Sequence, residues 1–267
     1  MSKKRYTVEF LHRPGLYLQD DEIDSLVSEM RAVAGQCFSQ IPEYQALAGT
    51  REDLSDKVIT LARDSDGKLV GFCSALLLDV EGVGPVLHLG LTCVGPGERG
   101  AGLTHVLTSR LVFQYLLTRQ PLERLWVSNV ACVLSSLGNV ARHFDDVFPS
   151  PEGPVAPGPK HTRIAQAIDR RYRKQIAIND DAVFDAGTFV MRGSVRASPF
   201  QKDAGDPRFQ HRDRILNEYY GQLMRFEEGD EVVQVGHLSI LSGVKYLLRR
   251  SGILKALRTR RDMVAQA

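Results

Sequence analysis

Residues 85–111 constrain the fold of this chain more than any other stretch of its sequence. They begin with an apolar run that is typical of a buried strand, and they end with apolar residues at helical spacing. Between the two lies a turn of eight residues, 95–102, which contains four glycines and a single cation, Arg99. We call this turn the glycine turn. The segment therefore predicts a strand, a glycine-rich turn and an amphipathic helix in direct succession.

The glycine turn is a candidate anion-binding site. Glycine lets the backbone approach a ligand closely and adopt positive φ values. A helix that follows such a turn directs its unpaired N–H groups and the positive end of its dipole towards the ligand. A phosphate or a pyrophosphate is therefore the favoured ligand. A glycine-rich turn that binds nothing is the alternative.

The glycine turn also contains the dinucleotide-binding pattern G-x-G-x-x-G, at residues 95–100. In an NAD(P)-binding protein this pattern needs an acidic residue about 20 positions downstream, at the end of the next strand, to bind the ribose. Glu123 lies near that distance, but it precedes the next predicted strand, which ends in Ser128 and Asn129. Pro96 lies inside the pattern, and strand-like segments precede it. NAD(P) binding is therefore the disfavoured alternative.

The segment resembles instead the acetyl-CoA-binding core of the GNAT acyltransferase superfamily, in which a strand leads into a V-x-P-x-x-R-G-x-G-like turn and a helix. The matching residues are Val94, Pro96, Arg99, Gly100, Ala101, Gly102 and Leu103. The Q/R-x-x-G-x-G/A signature of that superfamily has Gln or Arg where this chain has Gly97, so the match is partial. The resemblance covers residues 55–149 and implies both a fold and a cofactor.

The order of the predicted elements agrees with this resemblance. Residues 58–63 and 69–78 are strand-like, and residues 64–67 between them favour a tight hairpin turn. With the strand at 86–94 they form an antiparallel meander, and a strand at 125–127 follows the helix, parallel to its neighbour. We therefore predict an α/β (α+β) fold with a GNAT-like mixed sheet. In it the meander leads into a splayed parallel pair, helices cover both faces, and a large C-terminal insertion follows.

The second half of the chain extends this core. We predict one GNAT-like domain over residues 1–267, with insertions at 150–185 and 195–230 that shape an acceptor pocket or a lid. Residues 184–191 predict a further strand, and residues 214–226 predict a helix. The last segment, 238–267, predicts a basic helical tail. Such a tail either docks on the protein with a solvated charged face or contacts an anionic membrane surface.

Composition indicates a globular protein with no strong electrostatic preference, since the formal net charge is +2. The four cysteines lie in apolar settings without metal-ligand spacing, which predicts buried free thiols. Neither a secretory signal nor a membrane-spanning run is recognisable, so a cytoplasmic location is the default. No nucleic-acid-binding motif is present in the sequence, and we predict no nucleic-acid partner. Oligomeric state is left open.

The resemblance implies that the chain binds acetyl-CoA or another acyl-CoA as donor substrate, without a metal, and transfers the acyl group to an amine acceptor. It places the backbone of Thr92, Cys93 and Val94 at the thioester carbonyl. It also implies that the pyrophosphate lies against Arg99, Gly100, Ala101, Gly102, Leu103 and Thr104. Asn129 either holds the pantetheine amide or caps the next helix.

Members of this superfamily often use an ionisable side chain on the central strand to deprotonate the acceptor, and His88 is the matching residue here. A core histidine bonded to backbone is the alternative. Many members also carry a tyrosine that protonates the leaving thiolate, whereas this chain has no tyrosine between Leu116 and Tyr172. The apolar strand around Cys93 predicts an unreactive thiol. Two hypotheses therefore lead: an N-acyltransferase, or a GNAT-like module that binds acyl-CoA without catalysis.

Overall fold

One mixed sheet of nine strands organises the residues that the computed structural model describes, which are 6–119, 123–203 and 205–240. The strands are β1 (Thr7–His12), β2 (Lys57–Arg63), β3 (Leu69–Val80), β4 (Gly84–Val94), β5 (Leu125–Ala131), β6 (Asp145–Phe148), β7 (Val183–Asp185), β8 (Val190–Arg192) and β9 (Glu231–Leu238). The α-helices are α1 (Asp20–Ala34), α2 (Arg51–Leu54), α3 (Leu103–Arg119), α4 (Leu134–His143), α5 (Pro159–Arg171), α6 (Arg173–Ile176) and α7 (Arg214–Leu223). Short 3-10 helices lie at Pro14–Leu16, Gln45–Leu47, Pro96–Glu98, Pro207–Phe209 and Phe226–Glu228.

The strand order confirms the predicted fold class. Strands follow one another as β1-β2-β3-β4-β5-β9-β8-β7, and β6 pairs with β9. The first four strands form an antiparallel meander, in which β2 and β3 are joined by the predicted hairpin turn. Strands β4 and β5 are parallel because the crossover through α3 returns the chain to the end of the sheet at which β4 begins.

The parallel pair separates before its end. Strand β4 pairs with β5 only from Val86, opposite Trp126, to Leu89, opposite Asn129. Both strands continue beyond these pairs, β4 to Val94 and β5 to Ala131. Next to this point β4 contains a β-bulge. Between the Cys73–Thr92 and Ala75–Leu89 pairs, β3 has one residue and β4 has two. The bulge bends β4 and leaves a gap between β4 and β5.

Helices cover both faces of the sheet because successive residues of a strand point to opposite sides. On one face, Ile59, Leu61 and Phe72 pack against the apolar side of α1. Leu76 and Leu78, further along β3, pack against Ile164 and Ile168 of α5 on that same face. On the other face, Val58, Ala75 and Leu87 pack against Leu107 and Leu111 of α3. The central strands are therefore buried on both sides.

The later part of the chain differs from the prediction in two places. The strand predicted at 184–191 consists of two short strands, β7 and β8, paired as a hairpin. The turn arises because the Asp185 carboxylate accepts the N–H groups of Gly187 and Thr188. The helix predicted to reach residue 226 ends at Leu223 and is followed by a 3-10 turn. Strand β8 then pairs with β9, so the hairpin extends the main sheet.

The division of the chain into one domain, two insertions and a tail stays a prediction. Residues 241–267, which make up nearly all of the predicted basic tail, lie outside the described residues. Among the helices that are described, none is long and apolar enough to cross a lipid bilayer.

Candidate functional site

A cavity of about 740 Å³ lies where β4 and β5 separate. Four groups of residues line it: the segment between α1 and α2, the glycine turn with the start of α3, the facing ends of β4 and β5, and residues from the later part of the chain. Lining residues include Cys37, Phe38, Tyr44, Leu89, Gly90, Leu91, Thr92, Val94, Arg99, Gly102, Thr104, His105, Thr108, Asn129, Ala131, Cys132, Ser136, Asn139, Phe200, Lys202, Phe209 and Glu231. One cavity therefore joins the glycine turn to the strand gap.

The glycine turn has the backbone geometry that an anion site needs. Gly100 and Gly102 have φ values of +82° and +73°, a region in which other residues are strained. A Cβ atom at either position would meet nothing within 4 Å, so this side of the turn is open. Arg99 is exposed beside them, and α3 begins at Leu103 with its first N–H groups directed towards the turn.

The base of the glycine turn is held by contacts on the side away from the cavity. The Gly95 N–H donates to the Val70 carbonyl of the neighbouring strand at 2.9 Å, and the Tyr6 hydroxyl donates to Glu98 at 2.5 Å. Because N–H groups alternate sides along a strand, the Val94 N–H points to the opposite edge, towards the gap. The resemblance implies that the thioester carbonyl lies at Thr92–Val94, and of these residues Thr92 and Val94 line the cavity.

Asn129 lies at the last β4–β5 pair and lines the cavity. Its side-chain amide donates to the Gln234 side-chain oxygen at 3.1 Å, and Gln234 in turn donates to the Leu137 carbonyl and to the Tyr220 hydroxyl. The residue that caps α4 is Val133, which makes no side-chain cap. The helix-capping alternative for Asn129 is therefore wrong, because a buried amide partner on β9 orients this side chain instead.

His88 lies in the interior of β4, and its exposed fraction is 0%. Its Nδ1 atom is 3.0 Å from the Ser128 hydroxyl, and its Nε2 atom has no hydrogen-bond partner within the described residues. Burial lowers the pKa of the imidazole to about 3, so His88 is neutral at pH 7. The residues that line the cavity do not include it. This environment favours the alternative of a core histidine.

The cysteines near the turn differ in exposure. Cys93 is buried, and its proximity to Cys37, together with desolvation, raises the pKa of its thiol, as predicted for an unreactive residue. Cys37 is only partly buried, which corrects the prediction that all four thiols are buried. Its Sγ lies 3.5 Å from the Val94 carbonyl. A hydrogen bond with the Cys93 thiol, assisted by Arg99, lowers the pKa of Cys37.

Sequence reasoning missed Glu231, a buried carboxyl group among the ionisable side chains that line the cavity. This first residue of β9 is 7% exposed, and its carboxylate accepts a hydrogen bond of 2.6 Å from the Ser194 hydroxyl. Burial raises the pKa of Glu231 to about 7, and the Ser194 hydrogen bond offsets part of that increase. A glutamate that begins an apolar strand is the only signal in the sequence.

Tyr44 is the second residue that sequence reasoning missed, and it supplies a phenol to the cavity. Burial, followed by the negative charge of Glu231, raises the pKa of this phenol, so it stays protonated at neutral pH. The Gln45 amide donates to its oxygen at 3.2 Å. Within the described residues there is no cluster of three or more His, Cys, Asp or Glu side chains that could hold a metal ion.

Comparisons with known proteins gave only structural similarity: no family model and no curated protein matches the chain. One similar structure is a GCN5-related glucosamine N-acetyltransferase region of a fungal multi-domain GH3 β-N-acetylglucosaminidase, with 17% identity and a TM-score of 0.32 over 69% of this chain and 18% of that chain. Another is the aminoglycoside N-acetyltransferase AAC(6')-Iy in complex with CoA, with 19% identity and a TM-score of 0.32 over 43% of this chain and 72% of that chain.

A third similar structure is a GNAT family N-acetyltransferase from Escherichia coli in complex with CoA. It has 17% identity and a TM-score of 0.33, over 49% of this chain and 65% of that chain. Sequence identities and TM-scores this low do not support a conclusion about activity. The chain has a GNAT-like fold on the basis of its own strand order, its splayed parallel pair and the helices on both faces of its sheet.

Proposed function

We propose that this chain is an acyl-CoA-dependent N-acyltransferase, which transfers an acetyl or longer acyl group from a CoA thioester to an amine. The observation that carries the proposal is the single cavity that joins the glycine turn, the β4–β5 gap and a buried carboxyl group. An anion site, a channel between parallel strands and a base are the three parts that this reaction requires.

The donor is held mainly by backbone groups. Residues 99–104 are proposed to bind the pyrophosphate, because the turn offers N–H groups, the helix dipole and the Arg99 guanidinium to a negative charge. The pantetheine arm then lies in the gap, where Asn129 borders the cavity. The Val94 N–H, which faces the gap, stabilises the oxyanion that forms on the thioester carbonyl.

The acceptor must lose a proton before or during its attack on the thioester. We assign this proton to the Glu231 carboxylate rather than to His88, because Glu231 lines the cavity and its pKa of about 7 suits a base at neutral pH. The amine nitrogen bonds to the carbonyl carbon, and the C–S bond of the tetrahedral intermediate then breaks. The CoA thiolate leaves with a proton, for which the Tyr44 phenol is the candidate donor.

Thermal unfolding with CoA, acetyl-CoA, a long-chain acyl-CoA and NADH tests the donor site. A ligand that binds only the folded state raises the unfolding midpoint, and CoA compounds are expected to do so. Gly100→Asp should abolish the increase, because it puts a carboxylate where the pyrophosphate lies. Gly67→Asp is the matched control, since Gly67 also has a positive φ, +79°, and no atom within 4 Å of an added Cβ, but lies in the β2–β3 hairpin turn.

The same experiment separates the alternatives. Stabilisation by NADH and not by CoA would contradict the proposal and support a dinucleotide-binding protein. Stabilisation by CoA compounds in wild type and Gly67→Asp, lost in Gly100→Asp, supports the proposed donor site. Release of free CoA thiol in the presence of an amine then distinguishes an enzyme from a module that only binds acyl-CoA.

A further inference from the structure

The cavity extends beyond the β4–β5 gap to an end lined by four aromatic side chains, Phe38, Tyr44, Phe200 and Phe209, which we call the aromatic end. The Phe200 ring packs edge-on against two of them, with centroid distances of 5.1 Å to Tyr44 and 6.1 Å to Phe38. The first two residues lie between α1 and α2, and the other two lie between β8 and α7. Two segments that are distant in sequence therefore form one aromatic surface.

The chain itself shows that this surface accommodates a primary ammonium group. The Nζ atom of Lys202 lies 5.6 Å from the centroid of the Phe38 ring and 5.7 Å from that of Phe209. It also donates a hydrogen bond of 2.7 Å to the Pro199 carbonyl. Aromatic rings attract cations through the negative charge of their faces. The aromatic end is therefore compatible with an amine in its protonated form.

The aromatic end carries side chains of both charges, the Lys202 ammonium over the rings and the Glu231 carboxylate, and Glu231 is the group that an acceptor amine would reach. Glu231 lines the cavity here, and its negative charge acts on both Tyr44 and Cys132. A guest with an ammonium group would neutralise this buried carboxylate. If the amine of a guest lies at Glu231, a carboxylate or phosphate next to that amine is placed beside a like charge in a poorly solvated site, which is unfavourable.

From these contacts we propose that the aromatic end selects the acceptor, and that the acceptor is a primary amine attached to an aromatic or other flat apolar group, without an acidic group near the nitrogen. The inference rests on the proposed acyl transfer and specifies its second substrate. The rings hold the apolar body, and Glu231 receives the ammonium group and takes its proton. The amine nitrogen, now neutral, bonds to the thioester carbonyl carbon, the C–S bond breaks as above, and the second proton of the nitrogen replaces the one that Tyr44 gives to the thiolate.

Three amines that differ by one feature each test this proposal. The rate of CoA thiol release from acetyl-CoA is measured with 2-phenylethylamine, with propylamine, which lacks the ring, and with phenylalanine, which adds a carboxylate. We expect 2-phenylethylamine to have the highest kcat/KM, by on the order of tenfold over propylamine, because burial and ring–ring contacts add to its affinity. Phenylalanine is expected to be slower than 2-phenylethylamine by a similar factor.

Protein variants then test the assignment to the aromatic end. Phe200→Leu should reduce the preference for 2-phenylethylamine over propylamine several-fold, mainly through KM, because the apolar volume is kept while the ring contacts are lost. Phe184→Leu is the matched control, because its ring packs 5.6 Å from Phe189 in a core cluster outside the cavity lining. The control is expected to leave the preference unchanged.

The outcomes separate this proposal from the proposed function. One outcome is that acetyl-CoA raises the unfolding midpoint and amines release CoA thiol, while neither the phenyl ring of the amine nor Phe200→Leu changes kcat/KM. In that case acyl transfer stands and the acceptor proposal is overturned. Absence of thiol release with 2-phenylethylamine, while acetyl-CoA still binds, overturns it as well. If no CoA compound stabilises the protein, both proposals fall together.

Discussion

Burial acts on the two candidate bases of this chain in opposite directions. It lowers the pKa of His88 because it disfavours the imidazolium cation, and it raises the pKa of Glu231 because it disfavours the carboxylate anion. The result is a histidine that stays neutral and a glutamate that titrates close to pH 7. Ser194 donates a hydrogen bond to the Glu231 carboxylate, and the charge of Glu231 acts on Tyr44 and Cys132. The more familiar base is therefore the less suitable one here.

The raised pKa of Glu231 predicts a pH-dependent stability. The folded state retains this proton up to pH 7, whereas the unfolded chain loses it near pH 4.3, so the free energy of unfolding should fall as pH rises from about 4 to 7. Glu231→Gln keeps an acceptor for Ser194 and removes this loss. We expect the free energy of unfolding of the variant to exceed that of wild type by on the order of 2 kcal/mol at pH 8, and the two to differ little at pH 4.

Urea unfolding between pH 4 and pH 8 measures this difference. Glu227→Gln is the control, because that side chain is exposed on the preceding 3-10 turn and should leave the pH profile of wild type unchanged. Equal pH profiles for wild type and Glu231→Gln would show that Glu231 titrates normally, and they would remove it as the proposed base.

At the scale of elements, the bulge in β4 shapes both the gap and the cavity floor. The Gln45 amide lies directly against Gly90, where any side chain would overlap it. Gln45 is buried with a φ of +51°, accepts a hydrogen bond of 3.0 Å from Ser74, and donates to Tyr44. The bulge therefore needs a glycine so that the segment carrying Tyr44 can approach β4.

Gly90→Ala should destabilise the protein by about 1–3 kcal/mol, because the added methyl group displaces the Gln45 amide. In a double-mutant cycle with Gln45→Ala, the loss of unfolding free energy in the double variant should be smaller than the sum of the losses in the two single variants. The reason is that the clash disappears when the amide is removed. Chemical denaturation measures all four proteins. Gly97→Ala is the control, since an added Cβ there meets nothing within 4 Å. If the two destabilisations simply add, the contact with the Gln45 amide is not the reason for a glycine at position 90.

At the scale of the whole molecule, one buried carboxylate connects the later part of the chain to the main sheet. Asp230 precedes β9 and is 0% exposed. It accepts hydrogen bonds of 2.8 Å from the Arg192 side chain and 3.0 Å from the N–H groups of Gly193 and Arg225. Burial alone would raise the pKa of Asp230, but these donors outweigh it and lower the pKa. The hairpin, α7 and β9 are thereby held in one arrangement, which also sets the position of Glu231.

Asp230→Asn should lower the free energy of unfolding by about 2–4 kcal/mol, because it removes the closer and fully buried of the two carboxylates that pair with Arg192, at 2.8 Å, and leaves only Asp185 at 3.6 Å. The lowered pKa also predicts that the stabilising effect is present above pH 4 and is lost as pH falls below it. Denaturation of wild type and variant at pH 7 and at pH 3 measures both effects. Asp66→Asn, in the exposed hairpin turn, is expected to change neither.

The sequence alone determined the elements whose signals are local. The strand, glycine turn and helix of residues 85–111 could be predicted because glycine, proline and apolar spacing act within a few residues of one another. The β2–β3 hairpin was predictable for the same reason, and the connection through α3 then made β4 and β5 parallel. The short β7–β8 hairpin was not, because a side-chain turn at Asp185 divides one apolar run into two strands.

Only the tertiary structure decided which side chains share the candidate site. Tyr44 lies more than a hundred residues before Phe200 and Glu231 in the sequence, yet all three line one cavity with Arg99. Which histidine or glutamate can act as a base depends on burial, and burial is set by elements packed from elsewhere in the chain. A sequence pattern carries periodicity and turn chemistry, whereas solvent access and long-range contacts exist only once the sheet and its helices have assembled.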